Sequence, residues 1–146
     1  PGLMLAQDHL SLVTKALDEL AAAGWLNEQR AAEQLVQARA ARYGQRRLRQ
    51  LLSQRAIDGD AAAASLAAVR DTELDRARSV WLKRFGEPAS DLREKARQQR
   101  FLAARGFEGS VIDRVLKEAA QRGRQTERDI DAADPGVSPW LPDTGD

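Results

Sequence analysis

A chain of 146 residues has room for one domain with a modest core or for a series of small helical units. Zero cysteines exclude a disulfide framework and thiolate metal sites, and no apolar run approaches membrane-spanning length. The net charge of +1 divides into −4 on residues 123–146 and +5 on residues 1–122, so a basic body precedes an acidic tail.

These properties predict a cytoplasmic protein without a membrane segment. The chain opens Pro1-Gly2-Leu3 without a methionine, and no basic stretch precedes an apolar run there. This start indicates a fragment rather than a signal peptide.

Helical spacing dominates the pattern from the start of the chain, and runs typical of strands are missing. The first helix is predicted to end near Gly24, and its apolar stripe consists of Leu10, Val13, Leu17 and Leu20. Asn27 is a candidate N-cap for a second helix, which ends at Tyr43-Gly44. A short third helix, rich in arginine, follows over residues 45–55.

Four further boundaries are predicted in the second half of the chain. Asp58 is a candidate cap for a fourth helix, Asp71 or Thr72 begins a fifth, and Gly86-Glu87-Pro88 breaks it. Ser90 is a candidate cap for a sixth helix, whose inward residues include Leu92, Phe101 and Leu102. A seventh helix follows Arg105-Gly106-Phe107, and its periodicity stops after Gly123.

The remaining tail is predicted to be disordered, because its composition is polar and rich in proline. It contains Trp140-Leu141 between prolines. This pair is either a docking motif for a partner or a bystander that packs on the body, and the second interpretation is favoured.

Two stretches of the chain recur. Arg42-Tyr43-Gly44 returns as Arg84-Phe85-Gly86 after 42 residues, and residues 52–59 return as residues 102–109 after 50. The difference of eight indicates an insertion between Glu87 and Glu94. Self-similarity at such a period is the signature of stacked helical units.

The predicted fold is therefore all-α, with tandem three-helix repeats stacked in an elongated, curved arrangement. Residues 1–26 are assigned to the end of a truncated first repeat, 27–70 to a second, 71–122 to a third, and 123–146 to the acidic tail.

Four segments stand out in their order and spacing, namely LAAAGWLNE at 20–28, RAARYGQRRLRQLL at 39–52, WLKRFG at 81–86 and FLAARGF at 101–107. With them, the sequence resembles the RecX family of recombination regulators over roughly residues 13–117. The sequence departs from the family pattern in lacking most of the first repeat, in carrying Ala56 where the second copy has Gly106, and in its acidic tail.

The resemblance implies a negative regulator that binds in the groove of the RecA–DNA filament and limits its extension, its recombinase activity and its coprotease activity. It implies neither catalysis nor a cofactor. The alternatives left open are a helical module that grips DNA phosphates without a recombinase partner, and a purely structural adapter.

The expected interface consists of arginines in two series. No acidic residue interrupts the first series, which runs from Arg39 to Arg55, whereas Glu87, Asp91 and Glu94 dilute the second. The guanidinium group of arginine forms paired hydrogen bonds with phosphates and carboxylates, although a solvated helix face is the common alternative for a charge run. The expected contacts to the filament, and weakly to DNA phosphates, are Arg39, Arg42, Arg46, Arg47, Arg49, Arg97, Arg100 and Arg105; Lys83, Arg84, Arg93 and Lys95 also belong to the second series.

Aromatic and glycine residues mark the predicted turns, namely Tyr43, Gly44, Phe85, Gly86 and Gly106. Tyr43 and Phe85 either stack on bases or pack in the core. Core packing is favoured for both, as for Trp25, Trp81 and Phe107. His9 is the only histidine, which rules out a paired-histidine metal site and leaves no obvious general base for a serine or threonine nucleophile. Neither an enzyme nor a small-molecule substrate is predicted.

Overall fold

The computed structural model describes the backbone of residues 2–133 and the side chains of residues 6–133. Within this range the chain is helical and has no strand, which confirms the all-α prediction. A 3-10 turn, Arg70–Thr72, joins the third helix to the fourth. The helices are α1 (Gly2–Arg39), α2 (Gln45–Gln54), α3 (Gly59–Ala68), α4 (Glu73–Arg84), α5 (Leu92–Ala104) and α6 (Gly109–Ala133).

The helices form two tandem three-helix repeats, each with its own apolar core. The N-terminal repeat comprises the end of α1 with α2 and α3, and its core includes Leu35, Val36, Leu48, Leu52, Ile57 and Leu66. The C-terminal repeat comprises α4, α5 and α6, and its core includes Trp81, Leu102, Phe107, Ile112, Val115 and Leu116. Both cores arise from apolar residues at helical spacing, so sequence alone predicted this organisation.

The turn after α2 and the turn after α5 have the same backbone hydrogen bonds. The amide of Ile57 donates to the carbonyl of Leu52 at 2.9 Å, and the amide of Phe107 donates to that of Leu102 at 3.3 Å. Ala56 and Gly106 occupy equivalent positions, with φ of 57° and 83°. Ala56 therefore keeps the left-handed backbone that suits glycine.

Replacing Ala56 with glycine is expected to raise the free energy of unfolding by up to about 1 kcal/mol. The left-handed conformation costs a residue with a Cβ roughly 1–2 kcal/mol, and the greater freedom of glycine in the unfolded chain offsets part of that gain. Urea titration followed by circular dichroism measures the change. A clear loss of stability would contradict this account of the turn.

The predicted break between the first two helices is wrong, because α1 runs unbroken through Gly24 and Asn27. A glycine inside a helix costs only about 1 kcal/mol, and the neighbouring alanines and leucine favour helix. Trp25 is 49% exposed, so its predicted place in a core is also wrong. The stripe Leu10, Val13, Leu17 and Leu20 is 43–69% exposed, and its assignment to an earlier repeat stays a prediction.

Two features of α5 also differ from expectation. Its N-cap is Asp91 rather than Ser90, since an Asp91 side-chain oxygen accepts from the amide of Glu94 at 2.7 Å. Leu92 is 83% exposed instead of facing inward. Gln98 takes the buried position; it accepts from Trp81 Nε1 at 2.9 Å and donates to the carbonyl of Glu87 at 3.2 Å.

The prediction that helical structure stops after Gly123 is wrong, because α6 continues to Ala133. Gly123 lets the loop between α4 and α5 approach, since a Cβ at this position would lie 2.9 Å from a ring carbon of Pro88. Polar i,i+4 contacts such as Gln125 to Asp129, 2.9 Å, support the exposed end of the helix. Residues 134–146, including Trp140, lie outside the described residues.

The two repeats meet at a joint formed by the start of α2 and the turn after α5. The first amides of a helix lack partners within the helix, and Gly44 supplies no side-chain cap. The amides of Gly44 and Arg46 instead donate to the carbonyls of Arg105 and Gly106, at 2.9 and 3.0 Å. The C-terminal repeat thus caps a helix of the N-terminal repeat.

Glu73 completes this cap from the first turn of α4. Its side chain is buried, and Oε1 accepts from the amide of Gln45 at 3.3 Å and from the amide of Glu108 at 3.2 Å. One carboxyl oxygen therefore satisfies amides at the starts of α2 and α6, which belong to different repeats. Negative charge is favourable at both helix N-termini.

Arg76, one turn further along α4, binds helix ends of the opposite polarity. Its guanidinium donates to the carbonyl of Ala40 at 2.8 Å, to that of Val69 at 2.9 Å, and to that of Tyr43. Burial lowers the pKa of Arg76, while the nearby Glu73 carboxylate acts in the opposite direction. Glu73 and Arg76 together fix the C-terminal repeat against the N-terminal one.

Candidate functional site

The first arginine series surrounds the N-terminal side of the joint. Gln45, Leu48 and Leu52 form the buried face of α2. The arginines between them therefore project toward solvent or toward the other repeat. Arg47 is half-buried, whereas Arg39, Arg42, Arg46 and Arg49 are exposed.

Arginines from both repeats stack on the ring of Tyr43. The guanidinium carbon of Arg47 lies 5.7 Å from the ring centroid, and that of Arg105 lies 5.8 Å from it. Arg47 belongs to α2, and Arg105 is the C-cap of α5 in the other repeat. A cation this close to an aromatic ring is attracted by the ring quadrupole, which holds both guanidinium groups at the joint.

The same arrangement continues into the C-terminal repeat. Arg105 and Arg84 lie 5.2 and 5.5 Å from the centroid of Phe101. Phe101 meets Phe85 edge-on, with centroids 5.3 Å apart and an interplanar angle of 84°. The resulting arginine-aromatic surface comprises Tyr43, Phe85 and Phe101 with Arg47, Arg84, Arg97 and Arg105, where Arg97 lies over Phe85 at 5.8 Å.

The structure brings some of the predicted site residues together and separates others. Arg47, Arg97 and Arg105 belong to the arginine-aromatic surface, and Arg42 lines a depression beside it. Arg100 lies instead in a separate depression, with Ile112 of α6. Arg39, Arg46 and Arg49 make no stacking contact among the described side chains, so their part in the site stays a prediction.

The predicted turn residues have definite structural roles at this surface. Tyr43 and Phe85 are half-buried, and each packs on the core of its own repeat while its ring supports an arginine. Gly86 has φ of 74° and Gly106 of 83°, in the left-handed region. Gly44 is buried, with an ordinary negative φ.

Positive charge on the arginine-aromatic surface is little compensated. The ion pairs among side chains 6–133 involve Arg78, Arg97 and Arg114. One of them joins Arg78 Nε to Glu118 Oε2 at 2.7 Å, and this hydrogen bond holds the pKa of Glu118 below its ordinary value. Arg47, Arg84 and Arg105 form no ion pair in the same range, so their charge is available to an external anion.

Neither a metal-binding cluster nor a membrane-spanning helix is found in the part of the chain that the structure describes. No group of three or more histidine and acidic side chains there is arranged to hold a metal ion. None of its helices combines the length and apolar character that crossing a bilayer requires.

Sequence reasoning missed the residues that organise the site. Glu73 and Arg76 carry no local signal, because both read as ordinary polar residues at the start of a helix. Arg84 belonged to the second basic series but not to the expected contacts. Its importance depends on Phe101, which lies on another helix and stacks against it.

Comparison with known proteins places these features in a family. The model of the third three-helix domain of RecX matches residues 71–116. The chain is also 45% identical over 105 residues to the regulatory protein RecX of Leptothrix cholodnii, which covers 72% of this chain and 67% of the relative. The chain belongs to the RecX family. The matched domain contains Arg84, Phe85, Phe101 and Arg105.

Other RecX proteins match over a similar extent. That of Ralstonia nicotianae is 41% identical over 107 residues, 73% of this chain and 67% of the relative. That of Herminiimonas arsenicoxydans is 41% identical over 113 residues, 77% of this chain and 72% of the relative. No solved structure matches the chain.

Proposed function

We propose that this RecX-family chain is a negative regulator of the RecA recombinase. It binds in the groove of the RecA–DNA filament and limits the extension of the filament and its recombinase and coprotease activities. One observation carries the proposal: Arg47 of one repeat and Arg105 of the next stack on the same ring, Tyr43, so the basic surface is continuous across the joint.

A surface of this kind suits a nucleoprotein filament. Planar guanidinium groups form paired hydrogen bonds with carboxylates and phosphates, both of which a protein–DNA filament presents. Tandem repeats extend such a surface along a groove, because each repeat adds its own arginines. The proposed contacts are Arg42, Arg46, Arg47 and Arg49, with Arg97, Arg100 and Arg105 as secondary ones.

The proposed mechanism is occupancy of the groove and contains no catalytic step. It requires no cofactor and no small-molecule substrate, and it operates in the cytoplasm, where RecA filaments form on DNA. Contacts with DNA are weak and are made mainly to phosphates.

Reversing the charge of Arg46 and Arg47 is expected to abolish inhibition of RecA strand exchange. The double substitution Arg46→Glu/Arg47→Glu places two carboxylates where the filament meets cations, and the fold is retained because Arg46 is exposed and Arg47 only half-buried. Strand exchange is measured against concentration of the full chain, and circular dichroism verifies that the helical content is unchanged.

The matched control is Arg122→Glu/Arg124→Glu, which makes the same change of net charge on exposed positions of α6. This control is expected to inhibit strand exchange like the unmodified chain. Full inhibition by the Arg46/Arg47 variant would contradict the site, and failure of the unmodified chain to bind or inhibit RecA would contradict the function.

A further inference from the structure

A depression of about 380 Å³ lies at the joint, beside the arginine-aromatic surface. The N-terminal repeat contributes Arg42 to its wall, and the C-terminal repeat contributes the remaining polar groups. No acidic side chain lines it. Its lining includes Arg42, Val80, Lys83, Arg84, Phe101 and Arg105, and we name it the joint pocket.

The charge of the joint pocket is uncompensated. Its four cationic side chains make no ion pair with any described side chain of residues 6–133. Like charges held around one cavity repel each other, so a bound anion relieves that repulsion and adds attraction of its own. The uncompensated charge therefore favours the binding of an anion in the pocket.

Two of the cations are held in place before any ligand arrives. Arg84 and Arg105 both stack on Phe101, whose ring is in turn fixed by edge contact with Phe85. Side chains that are already ordered lose less entropy on binding. Guanidinium planes also offer surfaces on which unpaired bases stack, which a carboxylate ligand does not use.

We infer that the joint pocket binds a backbone phosphate of single-stranded DNA, with Lys83 and Arg84 as contacts in addition to Arg42 and Arg105. A basic groove combined with aromatic and guanidinium stacking surfaces is the usual construction of single-strand sites. The inference rests on the proposed function, because it assigns to the joint pocket the DNA of the RecA filament.

The test measures binding of a fluorescein-labelled oligothymidylate of 20 nucleotides to the full chain by anisotropy, at several salt concentrations. Lys83→Glu/Arg84→Glu is expected to weaken binding at least tenfold, and Arg122→Glu/Arg124→Glu to change it less than threefold. Loss of the one phosphate held in the joint pocket lowers the slope of log K against log salt by about 0.7 for a single strand. The milder Lys83→Gln/Arg84→Gln, which adds no repulsion, is expected to give the same slope change with a smaller loss of affinity.

Three outcomes overturn the inference. They are unchanged DNA binding by both pocket variants, an equal loss in the pocket and control variants, and equally tight binding of a 20-residue polyglutamate peptide to the unmodified chain. Parallel strand-exchange assays separate the two proposals. If the pocket variants keep DNA binding but lose inhibition of RecA, the phosphate site fails and the proposed function stands. If the pocket variants lose DNA binding while the unmodified chain fails to inhibit RecA, the phosphate site stands and the proposed function fails.

Discussion

Replacing Gly106 with alanine is expected to lower the free energy of unfolding by about 3 kcal/mol or more, through steric overlap and an unfavourable backbone conformation. A Cβ at this position would lie 2.3 Å from the backbone nitrogen of Arg47. Neither group can move independently, because the carbonyl of Gly106 accepts from the amide of Arg46 at 3.0 Å. The two repeats would have to separate to admit the methyl group.

The backbone conformation adds to this effect. Gly106 has φ of 83°, which an L-residue with a Cβ adopts at a cost of roughly 1–2 kcal/mol. Gly44 meets the same interface from the other side, since a Cβ there would lie 2.5 Å from the carbonyl oxygen of Gly106. Gly44→Ala therefore tests the steric part alone, because its own φ is ordinary.

Urea unfolding of Gly106→Ala and Gly44→Ala measures both effects, and Gly24→Ala is the matched control. Gly24 lies inside α1 with no atom within 4 Å of a built Cβ, so alanine there is expected to add about 1 kcal/mol of stability. If Gly106→Ala unfolds at the same urea concentration as the unmodified chain, the close contact between the repeats is wrong.

Removing the Glu73 carboxyl group is expected to lower the free energy of unfolding by about 2–4 kcal/mol. Glu73→Ala leaves the amides of Gln45 and Glu108 without their acceptor, and each unmade bond at a buried position costs about 1–3 kcal/mol. Water has little access to replace the carboxyl group, since Glu73 is only 5% exposed.

The conservative variant Glu73→Gln keeps an acceptor oxygen at nearly the same place and loses only the charge. It is expected to lose less than half as much stability as Glu73→Ala. Amide hydrogen exchange at residues 45 and 108 measures the local effect, which is expected to be faster in Glu73→Ala. Equal stability of all three proteins, or equal loss in both variants, would show that the carboxyl group does not join the repeats.

The sequence determined the elements whose cause is local. Leucines at helical spacing in α2 and the aromatic-glycine turns after α1 and α4 predicted helices, their approximate ends and the tandem repeat. The buried positions of Trp81 and Phe107 also followed from the apolar stripe and the repeated turn. The family resemblance rested on the same turns, and the relatives confirm it.

The sequence did not predict whether a helix ends at a glycine, because the preference of glycine against the helix is weak. Gly24 opposes helix by about 1 kcal/mol, which the good helix formers beside it outweigh. Gly123 carried the same stop signal, but α6 continues through it, and the absence of a Cβ leaves room for the ring of Pro88. A glycine in sequence does not distinguish a helix end from a close contact, because both uses depend on what the rest of the chain places beside it.

The composition of the site was decided by tertiary structure. The sequence located the arginines, but which of them converge depends on the rotation of each helix and on how the repeats dock. Arg47 and Arg105 are 58 positions apart and share one ring only because the joint brings their turns together. Glu73 and Arg76 gave no signal, since the helix ends that they cap belong to other segments of the chain.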